Sequence, residues 1–438
     1  MTAEEERPAG DLRTGQAIEA TIEKAVYRGR GLARVGGRVV FVPRAHAGDR
    51  VRARVGEVHA GWAEASLAEI LVPAAGRRTA PCPYVPRCGG CVYQDLGYEA
   101  QLAAKEGVLR ESLLRAGAPW EGPIAVHSSP EEGWRLRASL HVAAGRDGLR
   151  LGLREEGTRR VVDLERCLQL SEGTNEAWVE LRTLLTENPK LGARVNGIDL
   201  LESPDGGARV AAVTTTLAPR QATALLRASP PERLTGLGVE VGRGRLHWLQ
   251  GTPFVEMNVG PLTLRVHVRS FFQANRFLYE SLASTVSGLL PGKGRVLDLY
   301  AGVGLFALPL AARDGGEVVA VERALTAVED ARANVRRNRL EGVRIVPTDV
   351  RQALAATRPE PGERIVLDPP RTGLEKEVVA LVADRRPAAV VYVSCDPPTL
   401  GRDLARFAAR GYRPDTVRLF DLFPDTFHLE TVVRLRPA

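Results

Sequence analysis

Short runs of alternating hydrophobic and polar residues fill the first part of the chain. Between residues 13 and 73 the segments ARVGGRVVFV, VRARV and AEASLAEILV repeat a two-residue period, which is typical of half-buried β-strands. Gly36-Gly37 separates two β-rich runs and predicts a two-residue hairpin. Several short strands in so little sequence predict a small barrel of the OB type, which either packs on its neighbour or binds RNA.

The middle of the chain has a mixed pattern. Residues 98–117 have helical spacing and end at a glycine, and NEAWVELRTLLTEN predicts a second helix. The runs ASLHVAA and RVAAVTTT predict strands. This region is therefore expected to be α+β.

From about residue 266 onward, strands and helices alternate. The predicted strands are RVLDLY, EVVAVE, RIVPTD, RIVLDP, AVVYVS, VRLFDLF and HLETVVRL. Five strand–helix units followed by a closing pair of strands predict a doubly wound α/β sheet. The expected domains are thus 1–74, 75–265 and 266–438, and a ligand is expected at the carboxyl ends of the last domain's strands.

Composition changes this picture only slightly. The chain has 438 residues, a net charge of +7 and a pI near 9.4, which favours a polyanionic partner such as nucleic acid. The N-terminus MTAEEERPAG is acidic, unlike a secretory signal, and apolar runs are too short for a membrane span. A cytoplasmic protein without a membrane partner is expected, and its thiols would stay reduced.

The first strand–turn–helix of the α/β domain predicts a nucleotide site. In VLDLYAGVGLFALPLA, Gly302 and Gly304 would let the backbone approach a ligand, and Glu322 ends the next strand, where it could bind ribose hydroxyls. The ligand could be a dinucleotide or S-adenosylmethionine. Asp349, after the third strand, could bind an adenine amino group or cap the following helix.

Two later strands end in reactive side chains. VLDPPRTG places Asp368 at the end of the fourth strand, and Arg371 stands where amino-group methyltransferases have an aromatic residue, which argues against N-methylation. VYVSCDPPTL places Cys395 at the end of the fifth strand, either as a buried thiol or as a nucleophile. Loop amides and nearby arginines could lower the pKa of Cys395, whereas Asp396 would oppose this.

The C-terminal hairpin supplies a candidate base. DLFPDTFHLETVV sets His428 and Glu430 just before the last strand, as base and orienter or as ordinary hairpin residues. A thiolate that adds to carbon 6 of uracil makes carbon 5 nucleophilic toward a sulfonium methyl, and a base must then remove the carbon-5 proton. A nucleophile, a methyl-donor site and a carboxylate are the minimal set for this reaction, and the domain has all three.

The remaining cysteines suggest a metal centre. Cys82, Cys88 and Cys91 are spaced C-x5-C-x2-C, and Cys167 lies in DLERCLQL. Four thiolates suit tetrahedral zinc or a 4Fe-4S cluster. Zinc usually takes paired C-x2-C knuckles, so three ligands in one loop and a remote fourth favour iron–sulfur.

These motifs together resemble the RNA uracil-5 methyltransferases, specifically the iron–sulfur branch that modifies 23S ribosomal RNA. The run YRGRGLARVGGRVVFVPRAHAGDRV resembles a TRAM domain, and PCPYVPRCGGC resembles the family's cluster loop. The motifs SFFQANRF, LDPPRTG, SCDPPTL and HLE follow in the family's order.

The resemblance implies a TRAM barrel of the OB type, an α+β central domain with a 4Fe-4S cluster, and a Rossmann-like methyltransferase sheet. It implies that Cys395 is the nucleophile and Glu430 the base, and that Gln273, Tyr300, Glu322 and Asp368 line the pocket for S-adenosylmethionine and the target uracil. Gly302 and Asp349 join the expected cofactor-binding residues from the strand-end pattern described above. Phe271 is predicted to stack on a flipped base, with a core aromatic as the alternative. His428 is assigned to the substrate side.

The sequence also departs from the family pattern. Ala301 and Leu305 replace a common Cys and Asn, and Asp396 replaces the usual Asn after the nucleophile. The alternatives are a transfer RNA uracil-5 methyltransferase, a non-catalytic RNA-binding assembly factor, or an iron–sulfur redox enzyme that uses a dinucleotide. The family further implies a monomer that binds ribosomal RNA.

Overall fold

The computed structural model describes residues 12–145, 148–228, 231–242 and 246–438. The prediction that the acidic N-terminal stretch is not a secretory signal concerns residues that lie outside these described ranges. The chain forms two compact units. The first contains residues 1–86, 91–112 and 424–428, and the second contains residues 87–90, 113–423 and 429–438.

The first unit is built on a six-stranded sheet in the order β1-β5-β6-β4-β3-β2. Its strands are β1 (Ala17–Thr21), β2 (Lys24–Val26), β3 (Arg30–Val35), β4 (Arg38–Pro43), β5 (Arg50–Val58) and β6 (Trp62–Val72). Alternate side chains of these strands form one apolar core, and the predicted hairpin at Gly36-Gly37 joins β3 to β4. Helix α1 (Tyr98–Arg115) follows in the chain, and all but its last three residues belong to this unit.

The second unit begins with a seven-stranded sheet in the order β10-β9-β8-β11-β12-β13-β14. Its strands are β8 (Arg137–Gly145), β9 (Gly148–Arg154), β10 (Val161–Asp163), β11 (Val195–Glu202), β12 (Arg209–Thr215), β13 (Gly236–Val241) and β14 (Leu246–Gly251). The helices of this region are α2 (Glu172–Glu187), α3 (Pro189–Gly192) and α4 (Pro219–Ala228). The mixture agrees with the α+β pattern, and the hairpin of β15 (Phe254–Val259) and β16 (Leu262–His267) follows it.

The C-terminal part of this unit is an eight-stranded sheet in the order β19-β18-β17-β20-β21-β23-β22-β7. The strands are β7 (Ile124–His127), β17 (Val296–Leu299), β18 (Val318–Val321), β19 (Val343–Val346), β20 (Arg364–Leu367), β21 (Ala389–Ser394), β22 (Tyr412–Phe420) and β23 (Glu430–Pro437). The helices are α5 (Tyr279–Leu289), α6 (Ala307–Asp314), α7 (Leu325–Arg337), α8 (Val350–Ala356), α9 (Lys376–Asp384) and α10 (Pro397–Ala408).

This sheet is the doubly wound one that the sequence predicts. Strands β17 to β21 pair in parallel, and β23 closes the sheet antiparallel to both β21 and β22. The four central parallel strands are buried along their whole length because helices cover both faces. Strand order reverses between β17 and β20, so their carboxyl ends form the crevice in which such folds bind ligands.

The sequence pattern did not predict every strand. The sequence pattern missed β7, a four-residue edge strand that pairs in parallel with β22 from far away in the chain. The expected boundaries at 74 and 265 stay predictions. Among the described residues, no helix is long and apolar enough to cross a membrane.

Candidate active site

The turn after β17 exposes backbone at the crevice. Tyr300 and Gly302 have left-handed backbone conformations, with φ of 70° and 55°. A side chain on Gly302 would meet nothing within 4 Å, so packing does not explain this glycine. It leaves open space beside the backbone, as a loop that receives a nucleotide requires.

Glu322 is held at the end of β18 by three backbone amides. One carboxylate oxygen accepts from Gly302 N at 3.0 Å, and the other accepts from Arg323 N at 2.8 Å and Ala324 N at 2.7 Å. The carboxylate therefore has a fixed orientation next to the glycine turn. A fixed acceptor there fits the ribose hydroxyls of S-adenosylmethionine, although the contact itself stays a prediction.

Asp349 caps helix α8, which was the alternative to its adenine contact. Its carboxylate accepts from Arg351 N at 2.9 Å. Asp349 also lies close enough to Tyr300 to act on it, since burial first and this carboxylate second raise the pKa of Tyr300 to about 12. The capping role is observed and the adenine contact stays a prediction.

The strand register sets Cys395 opposite Glu430. In the antiparallel pair of β21 and β23 the last paired residues are Ser394 and Thr431. The next residue on each strand end is Cys395 or Glu430, so the same register makes them neighbours across the sheet. Cys395 is partly exposed and Glu430 is buried, so the sulfur is accessible and lies beside the candidate base.

The surroundings of Cys395 disfavour its thiolate. Burial, followed by the acidic neighbours Glu430, Asp368 and Asp396, raises the pKa of Cys395 to about 12, and Arg371 opposes this shift. Of the two opposing influences on the pKa that the sequence suggests, the acidic one therefore dominates. The cause is the number of carboxylates that the fold gathers at these strand ends.

Two acidic side chains at the crevice also have raised pKa values. Burial, and then the neighbouring Asp368, raises the pKa of Glu430 well above its ordinary value, while Arg371 lowers it. Burial and Glu322 raise the pKa of Asp368. A carboxylate with a raised pKa is a stronger base near neutral pH than an exposed one.

Asp396 has a structural role in addition to its charge. It is the N-cap of α10, and its side chain accepts from Thr399 N at 3.0 Å. A carboxylate is favourable at the N-terminus of a helix. This departure from the family pattern therefore keeps the turn after Cys395 in a capped, defined conformation.

The loop that carries Phe271 and Gln273 is tied to buried groups. Arg137 donates to the carbonyl oxygens of Val268 at 2.7 Å and of Ser270. Gln273 is buried with 3% of its surface exposed, whereas Phe271 is 69% exposed. Phe271 is thus not the core aromatic of the alternative interpretation, and an exposed ring on an anchored loop suits stacking on a base.

The predicted metal ligands are divided between the two units. Cys82 and Cys91 belong to the first unit, and Cys88 and Cys167 belong to the second. Within the described residues, no three or more His, Cys, Asp or Glu side chains are arranged to hold a metal ion. The 4Fe-4S cluster therefore stays a prediction. His428 belongs to the first unit, and its role also stays a prediction.

Sequence reasoning missed two residues of this site. Arg371 was noticed only as a departure from an aromatic residue, yet it opposes the acidic charge around Cys395 and Glu430. Asp298 is fully buried at the end of β17, and burial, with help from Asp368 and Glu322, raises its pKa to about 8. Asp298 lies inside the buried apolar run of β17, and a charged residue in such a run is the signal that could have identified it.

The fold and this site together define a class of enzyme. A doubly wound sheet with a nucleotide turn after its first strand, and a thiol opposite a carboxylate at its far side, has the parts of a methyltransferase that uses a cysteine nucleophile. Comparisons with known proteins agree. The profile of the family described as tRNA (Uracil-5-)-methyltransferase matches residues 97–437, and the TRAM domain profile matches residues 11–68.

The chain belongs to this family of S-adenosylmethionine-dependent RNA uracil-5 methyltransferases. It is 35% identical to the 23S rRNA (uracil(1939)-C(5))-methyltransferase RlmD of Pseudomonas putida, over 97% of this chain and 96% of that protein. It is 33% identical to an uncharacterized RNA methyltransferase of Aquifex aeolicus, over 95% and 98%. The structure of the Pyrococcus abyssi tRNA (uracil-54, C5)-methyltransferase with S-adenosyl-L-homocysteine superimposes with a TM-score of 0.75, at 25% identity, covering 95% of this chain and 99% of that one.

Proposed function

We propose that this enzyme makes 5-methyluridine in RNA with Cys395 as nucleophile and Glu430 as base. The observation that carries the proposal is the strand register, which makes the two residues neighbours at the end of β21 and β23. Nucleophile and base must both reach one uracil ring, and neighbouring positions on adjacent strands satisfy this requirement.

The chemistry divides into four balanced events. The Cys395 thiol releases its proton to solvent at this partly exposed site, its sulfur forms a bond to carbon 6 of uracil, and the electron pair of the ring double bond moves to carbon 5. S-adenosylmethionine, when bound, supplies an electrophilic methyl group for carbon 5. Glu430 then accepts the carbon-5 proton, and the electron pair left behind restores the double bond as the carbon–sulfur bond breaks.

The raised pKa of Cys395 suits a nucleophile that is deprotonated only with substrate in place. In the free enzyme the thiol stays neutral near pH 7, because burial and its carboxylate neighbours raise the pKa to about 12. A neutral thiol resists oxidation and stray alkylation, since the thiolate is the reactive form. Arg371 is the cationic side chain next to the pair, so it supports thiolate formation at the moment of attack.

The groups around the glycine turn fit S-adenosylmethionine. Backbone amides fix the carboxylate of Glu322 next to Gly302. The absence of a side chain on Gly302 leaves open space beside its backbone. Tyr300, Asp349, Asp368 and Gln273 complete the proposed set of binding residues. Phe271 and His428 are proposed to contact the RNA.

A covalent trap tests the catalytic assignment. RNA that contains 5-fluorouridine carries fluorine where the base must remove a proton, so the enzyme–RNA adduct cannot resolve and a shifted band remains on a denaturing gel. We expect the wild-type enzyme with S-adenosylmethionine to form this adduct, and the Cys395→Ala variant to form none. Equal trapping by Cys395→Ala would refute the assignment.

We propose 23S ribosomal RNA as the substrate. The similarity to the Pseudomonas putida enzyme covers both proteins nearly end to end, including the TRAM domain, at 35% identity. The likeness to a tRNA-modifying structure, at 25% identity, supports transfer RNA as the second candidate. Purified enzyme offered 23S ribosomal RNA and transfer RNA, each from a strain lacking the modification, should methylate the ribosomal RNA faster. Preference for transfer RNA would favour the second candidate.

We also propose a 4Fe-4S cluster on Cys82, Cys88, Cys91 and Cys167. The support is the sequence spacing of the four thiols and the resemblance of their loop to the family's cluster loop, and the cluster would have a structural role with no part in methyl transfer. Protein purified without oxygen should contain iron and inorganic sulfide, and Cys88→Ser should lose both. Zinc in place of iron would overturn the cluster assignment and leave the methylation proposal intact.

We also propose that the protein is a monomer and lies in the cytoplasm.

The departures at Leu305 and Asp396 support the non-catalytic alternative, in which the chain binds RNA without modifying it. The neighbouring pair Cys395 and Glu430 argues against this alternative. Asp396 caps helix α10, so its presence is explained without a loss of catalytic activity. Calorimetry with S-adenosylmethionine separates the two, since an assembly factor need not bind the methyl donor.

A further inference from the structure

The loop that carries Arg371 is fastened to one helix. This loop runs between β20 and α9, and it lies against α10. The Thr399 hydroxyl donates to the carbonyl oxygen of Arg371 at 3.2 Å, and Arg402 Nη2 donates to the carbonyl oxygen of Thr372 at 2.9 Å. Two consecutive loop residues are therefore bound through their backbone.

Asp403 is the centre of this attachment. It is fully buried on α10 and accepts from Leu374 N at 2.7 Å and from the Tyr392 hydroxyl at 3.0 Å. Arg402 and Arg406 form ion pairs with the same carboxylate at 2.9 Å and 3.1 Å. A buried carboxylate with this many donors fixes the geometry of everything that binds to it.

The contact between loop and helix leaves no space. Gly373 has a φ of 69°, and a methyl group added there would lie 2.5 Å from Asp403 and from Arg402, and 3.0 Å from Thr399. Contacts this short force either the loop or these side chains of α10 to shift. The loop backbone at Gly373 thus packs directly against the side chains that hold it.

The same helix begins at the nucleophile. Cys395 directly precedes Asp396, which caps α10 by accepting from Thr399 N at 3.0 Å. The Thr399 hydroxyl, which donates to Arg371 O, also lies 3.1 Å from the carbonyl oxygen of Asp396. One turn of one helix therefore contacts both the residue after the nucleophile and the residue that carries the cation.

The position of this cation matters because its surroundings are acidic. The charged or titratable groups that act on Cys395 are Glu430, Arg371, Asp368 and Asp396, and those that act on Glu430 are Asp368 and Arg371. Arg371 is the positive member of both sets. A shift of its guanidinium by a few ångströms would remove much of the attraction that offsets three carboxylates.

We propose that the face of α10 formed by Thr399, Arg402 and Asp403 is a positioning device that holds the Gly373 loop and thereby sets Arg371 against Cys395 and Glu430. This inference rests on the proposed function of those two residues. The three helix residues act through Arg371, so they are positioning residues and not catalytic ones.

The pair Gly373→Ala and Gly411→Ala tests the proposal. Both glycines have a left-handed backbone, with φ of 69° and 80°, but a methyl group on Gly411 would meet nothing within 4 Å. Both variants therefore carry the same backbone strain, and only Gly373→Ala pushes the loop off the helix. The measurement is the rate of adduct formation with 5-fluorouridine RNA as a function of pH.

We expect Gly373→Ala to move the rising limb of this profile up by about one pH unit, with a roughly tenfold lower rate near neutral pH. The Kd for S-adenosylmethionine should change little, and Arg371→Gln should shift the profile in the same direction. Combining Gly373→Ala with Arg371→Gln should add no further shift, because both changes remove one interaction. Gly411→Ala should follow the wild-type profile.

A second pair covers the case in which Gly373→Ala fails to fold. Asp403→Asn keeps an acceptor for Leu374 N and removes the negative charge that pairs with Arg402 and Arg406. The control is Glu363→Gln, which removes the negative charge of another buried acid. Glu363 pairs with Arg295 and Arg385 at the opposite end of the sheet. We expect both to lower thermal stability and only Asp403→Asn to shift the pH profile.

The outcomes separate the two levels of inference. If wild-type enzyme forms no adduct, the proposed function fails. If it does, but Gly373→Ala and Asp403→Asn keep the wild-type pH profile while Arg371→Gln shifts it, the positioning role of α10 is overturned and the function stands.

Discussion

At the scale of single residues, the proposed nucleophile and the proposed base both have raised pKa values. The pKa of Cys395 and the pKa of Glu430 are both raised, chiefly because burial disfavours charge. The two groups are neighbours across β21 and β23, so both can reach one uracil ring. Both features favour chemistry that starts only after the uracil displaces water from the site.

The two residues should give opposite results when substituted singly. With ordinary uridine in the RNA, Glu430→Gln can still form the carbon–sulfur bond and accept the methyl group, but it cannot remove the carbon-5 proton. We expect this variant to accumulate a covalent enzyme–RNA adduct on a denaturing gel, which wild-type enzyme resolves. Turnover should fall by roughly 10²-fold or more, as for loss of a general base.

The double variant Cys395→Ala with Glu430→Gln is the control for that experiment. It should form no adduct, since the sulfur that makes the bond is missing. An adduct in the double variant, or none in Glu430→Gln while methyl transfer still occurs, would contradict the assignment of the two roles.

Asp298 predicts a dependence of stability on pH. Its pKa is about 8 in the folded protein, because it is fully buried and faces Asp368, against an ordinary value of 3.8. Between these values the folded state binds a proton that the unfolded chain lacks, so wild-type stability falls as pH rises toward about 8. Asp298→Asn cannot ionise, and its melting temperature relative to wild type should therefore increase from about pH 5 to about pH 8.

An exposed acid provides the comparison. Asp415 lies on β22 and pairs with Arg434 and Arg436 at the surface. Asp415→Asn should change the melting temperature by a small amount that is the same at both pH values. Parallel curves for Asp298→Asn and wild type would show that Asp298 is ionised throughout this range.

At the scale of elements, the strand sequence predicts the sheet, but register decides the site. Buried β-rich runs such as AVVYVS and RIVLDP identify β21 and β20, and their last residues lead to Cys395 and Asp368. That Cys395 faces Glu430 follows from pairing between strands about forty residues apart in the chain, which no local pattern encodes. For the same reason β7, four residues long and paired with the distant β22, was not predicted.

Positioning residues such as Asp403 could not be predicted from the sequence either. Asp403 lies in PPTLGRDLARFA, where it resembles one more polar residue on an amphipathic helix. Only its complete burial and its contact with Leu374 N distinguish it. The balance of charges around Cys395 could not be predicted for a related reason, since the acids that raise its pKa come from three different strand ends.

The segment Pro424–His428 belongs to the first unit, and Asp425 anchors the segment to the rest of that unit. Asp425 has a φ of 65° and accepts through its carbonyl oxygen from Val92 N and Tyr93 N, both at 2.9 Å. Its carboxylate accepts from Gln101 at 3.0 Å and forms an ion pair with Arg78 at 3.4 Å. This residue is buried and holds the loop after the cysteine motif.

Asp425→Ala should therefore destabilise the protein strongly. It leaves buried donors without their acceptor, at a cost of about 3 kcal/mol. We expect a clear drop in the midpoint of thermal or urea unfolding. Asp415→Ala, which removes a surface ion pair, should cost under about 1 kcal/mol, and equal effects of the two changes would contradict the anchoring role of Asp425.

At the scale of the whole molecule, charge and chemistry are separated. The chain carries a net charge of +7, yet several carboxylates lie around Cys395 and Glu430, where Arg371 is the cation that acts on both. The excess of positive charge therefore lies elsewhere in the protein, where it can attract a phosphate backbone. The proposed roles of the acids at the crevice are proton transfer and binding of the methyl donor, which carries no phosphate.

This separation predicts different responses to salt for the two ligands. Binding of RNA through phosphate contacts releases counterions, so log Kd should rise linearly with the logarithm of salt concentration, by at least about tenfold in Kd from roughly 50 to 200 mM salt. S-adenosylmethionine bound by Glu322 and the glycine turn should keep nearly the same Kd over that range. Fluorescence anisotropy with labelled RNA and calorimetry with the methyl donor measure the two. An RNA affinity that ignores salt would mean that base stacking and shape, and not the net positive charge, dominate recognition.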